Sequence, residues 1–192
     1  ENSVDPSSVP GLEEALRIAV LCNAAELIGA KRGRSVRKGA AEPWRILGDP
    51  TEGALLVAGM KAGIDRARLL RQHEITIEHP FDSARRRMSV VVEDRGRFTA
   101  YVKGAPAAIL ERATHILQDG EVRPLTASVR ERLQQQTTRY AEQALRVLAL
   151  AKRTVPNGAA DMEECEQGLT FVGLVAMFDP PREEVRKAIL RS

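Results

Sequence analysis

The sequence predicts an α+β fold, a mainly antiparallel twisted β-sheet flanked by helices. Three observations carry that expectation. Segments 74–78, 88–93 and 98–103 are β-branched or alternating, and Asp94-Arg95-Gly96 forms a hairpin turn between the last two. The stretches from Arg146 to Val155 and from Gly168 to Phe178 are apolar on both faces, as strands central in a sheet are. Apolar residues at helical spacing occupy separate stretches before and between these strands.

In order, the first ten residues, with Pro6, Ser7, Ser8 and Pro10, read as an irregular lead-in. Leu12, Ala15, Leu16, Ala19 and Val20 then repeat at helical spacing. Lys31, Arg32, Arg34, Arg37 and Lys38, interspersed with Gly33, Ser35 and Gly39, make a basic solvated loop. Trp44 to Leu47 is a short strand, and a helix runs from Pro50 to Ala62, stopping near Gly63. After the three middle strands come a short helix from Pro106 to Ala113 and a hairpin turn at Asp119-Gly120. Ser128 with Glu131 has the capping-box pattern and opens a long helix towards Ala144. Glu183 to Leu190 is again helical in pattern and reaches Ser192 without a glycine stop, so the chain is expected to be a piece of a longer one.

The 192 residues suffice for one domain, or one domain and the start of another. With 43% hydrophobic and 29% charged residues, a core and a soluble surface are both available. No run of about 18 apolar residues occurs, so no membrane span or direct membrane contact is expected of this chain. The first residues lack a signal-peptide pattern. Cys22 and Cys165 are far apart, and His73, His79 and His115 add no ligand spacing, which predicts a metal-free domain in a reducing setting. The net charge is only +3, and one Trp, two Tyr and four Phe are too few for the stacking platforms of single-stranded nucleic-acid readers.

Several residues admit both a structural and a chemical reading. Asp49 as cap, Pro50 at the first helical position and Glu52 three residues past the cap make a capping arrangement that needs no ligand. Phe81, between Pro80 and the polar pair Asp82-Ser83, is a poor core position. The three consecutive arginines, Arg85 to Arg87, read as an exposed turn, and Asp161, Glu163, Glu164 and Glu166 form a separate acidic cluster. Lys103-Gly104-Ala105-Pro106 ends a strand with a cation, a glycine and a helix start, a combination suited to an anion and equally to a plain structural turn. It is not a Walker A loop. By alternation Lys103 shares a strand face with Tyr101.

Five phrases follow one another in fixed order. They are Gly48-Asp49-Pro50-Thr51-Glu52-Gly53; Phe81-Asp82-Ser83 leading to Arg86-Arg87-Met88-Ser89-Val90; Lys103-Gly104-Ala105-Pro106; Arg146-Val147-Leu148-Ala149-Leu150-Ala151; and Phe178-Asp179-Pro180-Pro181-Arg182. This set resembles the nucleotide-binding domain of P-type ATPases, in the calcium-pump branch, from about Leu12 to the end of the chain. The resemblance implies ATP as ligand, with Glu52 at the adenine edge, Phe81 stacked on the base and Met88 beside it. Lys103 and Gly104 would belong to the adenosine pocket, and Leu148 to its wall. Arg86 and Arg146 would face the phosphates, and Asp179 and Arg182 would lie near the ribose.

It further implies a nucleotide-binding domain over residues 1–178, with 179–192 as a hinge and the start of a following phosphorylation domain. The phosphorylation and actuator domains of the same polypeptide would be its partners, on the cytoplasmic side of an integral membrane protein. The Asp-Lys-Thr-Gly-Thr loop of the phosphorylation domain is absent from this sequence. The chain alone is therefore expected to bind ATP without turning it over, and magnesium is expected only in the intact pump. The transported ion is not encoded here. Two other readings stand beside this one: a stand-alone nucleotide-sensing module, and a polyanion binder using Lys31 to Lys38.

Overall fold

The computed structural model describes residues 5–28, 44–158 and 160–178. The predicted basic loop, Asp179, Arg182 and the last helical segment lie outside the described residues. A short 3₁₀ turn at Pro6–Ser8 precedes α1 (Leu12–Leu21). The strands β1 (Glu26–Ile28) and β2 (Arg45–Leu47) pair as a small antiparallel hairpin. Then come α2 (Pro50–Lys61) and α3 (Arg66–Gln72). The middle of the chain holds β3 (Glu74–Asp82), β4 (Arg87–Asp94), β5 (Arg97–Gly104), α4 (Pro106–Arg112), β6 (Ala113–Gln118) and β7 (Glu121–Pro124). The last described elements are α5 (Ala127–Glu142), β8 (Arg146–Val155), α6 (Met162–Glu166) and β9 (Leu169–Met177).

Seven strands form one sheet in the order β3-β4-β5-β8-β9-β6-β7. Every neighbouring pair is antiparallel except β6 with β9. The α+β expectation therefore holds, and β8 occupies the middle of the sheet as its two-sided apolar pattern requires. Both predicted hairpin turns carry two successive left-handed residues, Arg95-Gly96 (φ 51° and 78°) and Asp119-Gly120 (φ 51° and 82°). That geometry matches the twist of the flanking strands.

The sheet is covered on both faces. Met88, Val90, Tyr101 and Leu150 pack against Ile18, Leu21, Leu55 and Leu69 of α1, α2 and α3. On the other face Val102, Ala149 and Ala151 meet Ile109 and Leu110 of α4, with Val129 and Leu133 of α5 beside them. Val91 and Ala100 meet Cys165 of α6. Each fully buried Leu, Ile or Val stabilises the fold by roughly 1.5–3 kcal/mol. Among the described residues no helix is long and apolar enough to cross a membrane.

Three local expectations are corrected. The long helix α5 is capped by Thr126, whose hydroxyl accepts from the Val129 amide at 3.4 Å, so the Ser128–Glu131 pattern lies inside the helix. Asp49 does cap α2, accepting from the Thr51 amide at 2.7 Å, but Glu52 does not reach back to the cap. Its carboxylate is drawn to partners elsewhere. Finally, β3 runs on through Phe81 and Asp82, since Asp82 pairs with Arg87 across an irregularity in the β3–β4 register. Phe81 is thus a strand residue.

Candidate functional site

Antiparallel connection brings the separate phrases to one end of the sheet. β3 and β5 finish there, at Asp82 and Gly104, and β4 and β8 start there, at Arg87 and Arg146. Arg87 pairs with Gly104, Met88 with Lys103, and Lys103 with Leu150, while Arg146 pairs with Met177 at the end of β9. Phe81, Arg86, Met88, Lys103, Gly104, Arg146 and Leu148 consequently share one rim.

Lys103 is the centre of the arrangement. Paired residues of antiparallel strands point to the same face, so Lys103, Met88 and Leu150 lie on the face covered by α1 and α2. Lys103 is only 4% exposed, and its ammonium donates to Glu52 Oε1 at 2.7 Å. Glu52 Oε2 accepts from the Ala24 amide at 3.1 Å. The Asn23–Ala25 loop is held in turn by Arg66, which donates to the Asn23 carbonyl at 2.6 Å, and by Asn23 Nδ2, which donates to the Glu52 carbonyl at 3.0 Å. One residue earlier on α2, Thr51 Oγ1 accepts from Arg146 Nη1. The Thr51 hydroxyl, first among several causes, holds the Asp49 carboxyl below its ordinary value, and the Arg146 guanidinium adds to this. Glu52, Lys103 and Arg146 are therefore joined through the first turn of α2.

The other predicted residues differ in what they offer. Phe81 is 63% exposed at the end of β3, and Arg86 is exposed on the β3–β4 turn. Met88 is 2% exposed and belongs to the core beneath Lys103. Leu148 is half-buried and packs against that same core. Gly104 has a structural reason to be glycine, because an added Cβ would meet the Arg86 carbonyl oxygen at 2.5 Å and Arg87 Cα at 2.8 Å.

Sequence reasoning missed two groups. One is the Asn23–Arg66 brace behind Glu52, for which Asp65 capping α3 through the Arg68 amide at 2.6 Å was the available signal. The other lies on the opposite face. Glu166, 1% exposed, accepts from Arg85 Nη1 at 2.5 Å, Arg87 Nε at 2.6 Å and Ser89 Oγ at 3.0 Å. Arg85 and Arg87 are thus not solvent-facing members of an open turn. The sequence showed only an acidic cluster here; the Asp161 and Glu164 capping box that starts α6, and so delivers Glu166, is seen in the structure.

A cavity of about 270 Å³ lined by Leu27, Trp44, Leu56, Met60, Arg66 and Leu70 lies between β1, α2 and α3 and includes none of the predicted residues. Among the described residues no group of three or more His, Cys, Asp or Glu side chains is arranged to hold a metal ion.

The mostly antiparallel seven-stranded sheet flanked by helices defines an α+β domain, and sequence comparison makes the class specific. The family described as P-type ATPase, cytoplasmic domain N, matches residues 11–184. The chain belongs to that family. It is 35% identical to a calcium-transporting ATPase of Bacillus subtilis over 98% of its own length and 20% of that protein's. It is 38% identical to the cation-transporting ATPase pma1 of Synechocystis over 94% of the chain and 19% of the relative. It is also 33% identical to the sodium/potassium exporting P-type ATPase cta3 of Schizosaccharomyces pombe, over 97% and 18% respectively. The chain thus spans about a fifth of the length of these relatives.

Proposed function

We propose that this domain binds ATP at the rim and, in the intact protein, presents it to an aspartate on a neighbouring domain of the same polypeptide. The parent would be an integral membrane cation pump with this domain on its cytoplasmic side, and calcium is the first candidate ion. The observation that supports the reading is the junction of Glu52, Lys103 and Arg146 at one end of the sheet, beside an aromatic ring left 63% exposed.

The chemistry of these groups suits a purine nucleotide. Phe81 offers a ring face for stacking, which contributes about 0.5–1.5 kcal/mol beyond burial. Lys103 has three donors and spends one on Glu52, and a carboxylate has roughly four acceptor positions, of which Glu52 uses two. The pair therefore keeps capacity for a ligand that donates and accepts. Arg86 and Arg146 supply cations for the phosphates, Arg146 by exchanging its Thr51 contact for a charge-assisted bond. Leu148 walls the pocket, Met88 and Gly104 shape its floor from beneath, and Asp179 and Arg182 would close the ribose end. These groups bind and orient. Phosphoryl transfer needs an acceptor and a metal in line with the γ-phosphate, and both are assigned to the rest of the pump.

The reading is tested by equilibrium binding of ATP, with Lys103→Ala and Arg146→Ala as partners. Weaker ATP binding by both variants, with native folding kept, is expected. Unchanged affinity in both would sink the assignment of this rim.

A further inference from the structure

We propose that Glu166 is a positioning residue for the nucleotide site: from the opposite face of the sheet it clamps the β3–β4 turn, so that Phe81 and Arg86 are presented to a bound nucleotide. This rests on the ATP-binding reading above. Glu166 itself would touch no ligand.

Arg86 has φ 56°, a left-handed backbone that a non-glycine residue keeps only when its surroundings fix it. Those surroundings are visible. The Arg86 amide donates to the Asp82 carbonyl at 2.6 Å, and the Arg86 carbonyl accepts from the Ala105 amide at 2.9 Å. Gly104 lies flush against Arg86 and Arg87.

The flanking arginines complete the clamp. Arg87 Nε reaches one oxygen of Glu166 at 2.6 Å, and Arg85 Nη1 reaches the other at 2.5 Å. Arg85 Nη2 also donates to the Pro80 carbonyl at 2.6 Å, and Arg87 Nη1 to the Arg85 carbonyl at 2.9 Å. One carboxylate thereby ties both arms of the turn, including the residue just before Phe81. Of the three arginines, only Arg86 is left with no side-chain hydrogen bond or ion pair among the described residues.

A buried ion cluster is weak evidence for stability as such, because apolar residues of similar volume often serve as well. Its distinctive contribution is geometry, since planar guanidinium groups on one carboxylate fix distance and direction together. A turn fixed beforehand spares the bound state the entropy of ordering it. That assigns Glu166 a function in affinity at a distance from the ligand.

The test uses the full 192-residue chain, wild type, Glu166→Gln and the milder Ser89→Ala, titrated with ATP by calorimetry, with amide exchange followed by NMR. Folded Glu166→Gln is expected to bind ATP about 10-fold more weakly, or about 1.4 kcal/mol. Its Arg86 and Ala105 amides should exchange faster while those of β8 keep their protection. Phe81→Ala should cost less in the Glu166→Gln background than in the wild type, because the two act through one turn. Ser89→Ala should lose about 2- to 3-fold.

Wild-type affinity in folded Glu166→Gln, or full additivity with Phe81→Ala, overturns the proposal. If Glu166→Gln does not fold, Ser89→Ala decides, and unchanged affinity there overturns it equally. Failure of the wild-type chain to bind ATP would instead sink the nucleotide reading, while amide exchange at Arg86 and Ala105 still reports whether the clamp exists.

Discussion

Glu52 and Glu166 stand on opposite faces of the same sheet, and each meets cationic side chains from its strands or the turn between them. Glu52 sits at the rim with one lysine and one backbone amide, and both it and Lys103 keep unused hydrogen-bonding capacity. Glu166 is sealed inside, with two arginines and a serine on its two oxygens. On the proposed function, the difference separates an interaction arranged to be shared with a ligand from one arranged to be left alone. Removing either carboxylate should therefore have different consequences, the first read mainly in binding and the second mainly in structure.

The largest expected effect lies on the sealed side. Glu166→Gln leaves the buried Arg87 guanidinium without its counter-charge and Arg85 with only Asp82 at 4.0 Å, and breaking a buried pair in this way costs about 3–5 kcal/mol. Urea denaturation measures it, and a loss below about 1 kcal/mol would show that Glu166 is no anchor. Next is Gly104→Ala, where the new Cβ must displace the Arg86 carbonyl and the Arg87 side chain. Overpacking of this kind costs about 1–3 kcal/mol, and the same denaturation curves report it.

Alkali sharpens the comparison because one buried thiol lies behind each carboxylate. Cys22, near Lys103 and Glu52, is pushed up to about 12 by burial, and Cys165, beside Glu166, to about 11, again by burial first. In the unfolded chain both titrate near 9.0. A raised native value means that the stabilisation is fully present below pH 9 and is lost as pH climbs towards 11 for Cys165 and 12 for Cys22. The slope approaches about 1.4 kcal/mol per pH unit for each thiol. Urea midpoints should fall from pH 9 upward, and Cys22→Ala should flatten that fall. A midpoint indifferent to pH over this range would contradict the sealed placement of both thiols.

The smallest effect belongs to Phe81→Ala, which should weaken ATP binding by about 0.5–1.5 kcal/mol. Stability should hardly change, because the ring is largely exposed. A large loss of stability with unaltered affinity would reverse the roles assigned to the two regions.

What could be read from the sequence was local chemistry. The Arg95-Gly96 and Asp119-Gly120 turns, the Asp49-Pro50 helix start and the two-sided apolar β8 depend on neighbours in the chain, and all appear as expected. The seven-residue α3 escaped because it is too short to display periodicity, although Asp65 marked its start. Thr126 is the cap and Ser128 is not, because the helix already begins at Ala127 and the Val129 amide, three residues past Thr126, donates to the Thr126 hydroxyl.

The links behind the candidate site were not legible, and distance along the chain explains why. Glu52 and Lys103 are 51 residues apart, and Arg87 and Glu166 are 79 apart. No spacing rule connects such pairs before the sheet order is known. The ordered phrases indicated the rim residues through resemblance, and only the register shows that antiparallel pairing delivers them to one end.

The most direct test of the central claim is a ¹H–¹⁵N titration of the chain with ATP, set against GTP and inorganic triphosphate. Saturable shifts centred on Glu52, Phe81 and Lys103, stronger for ATP than for the other two, are expected, with a Kd on the order of 0.1–1 mM. Equal responses to all three ligands, concentrated in Lys31 to Lys38, would contradict the account and leave a polyanion binder in its place.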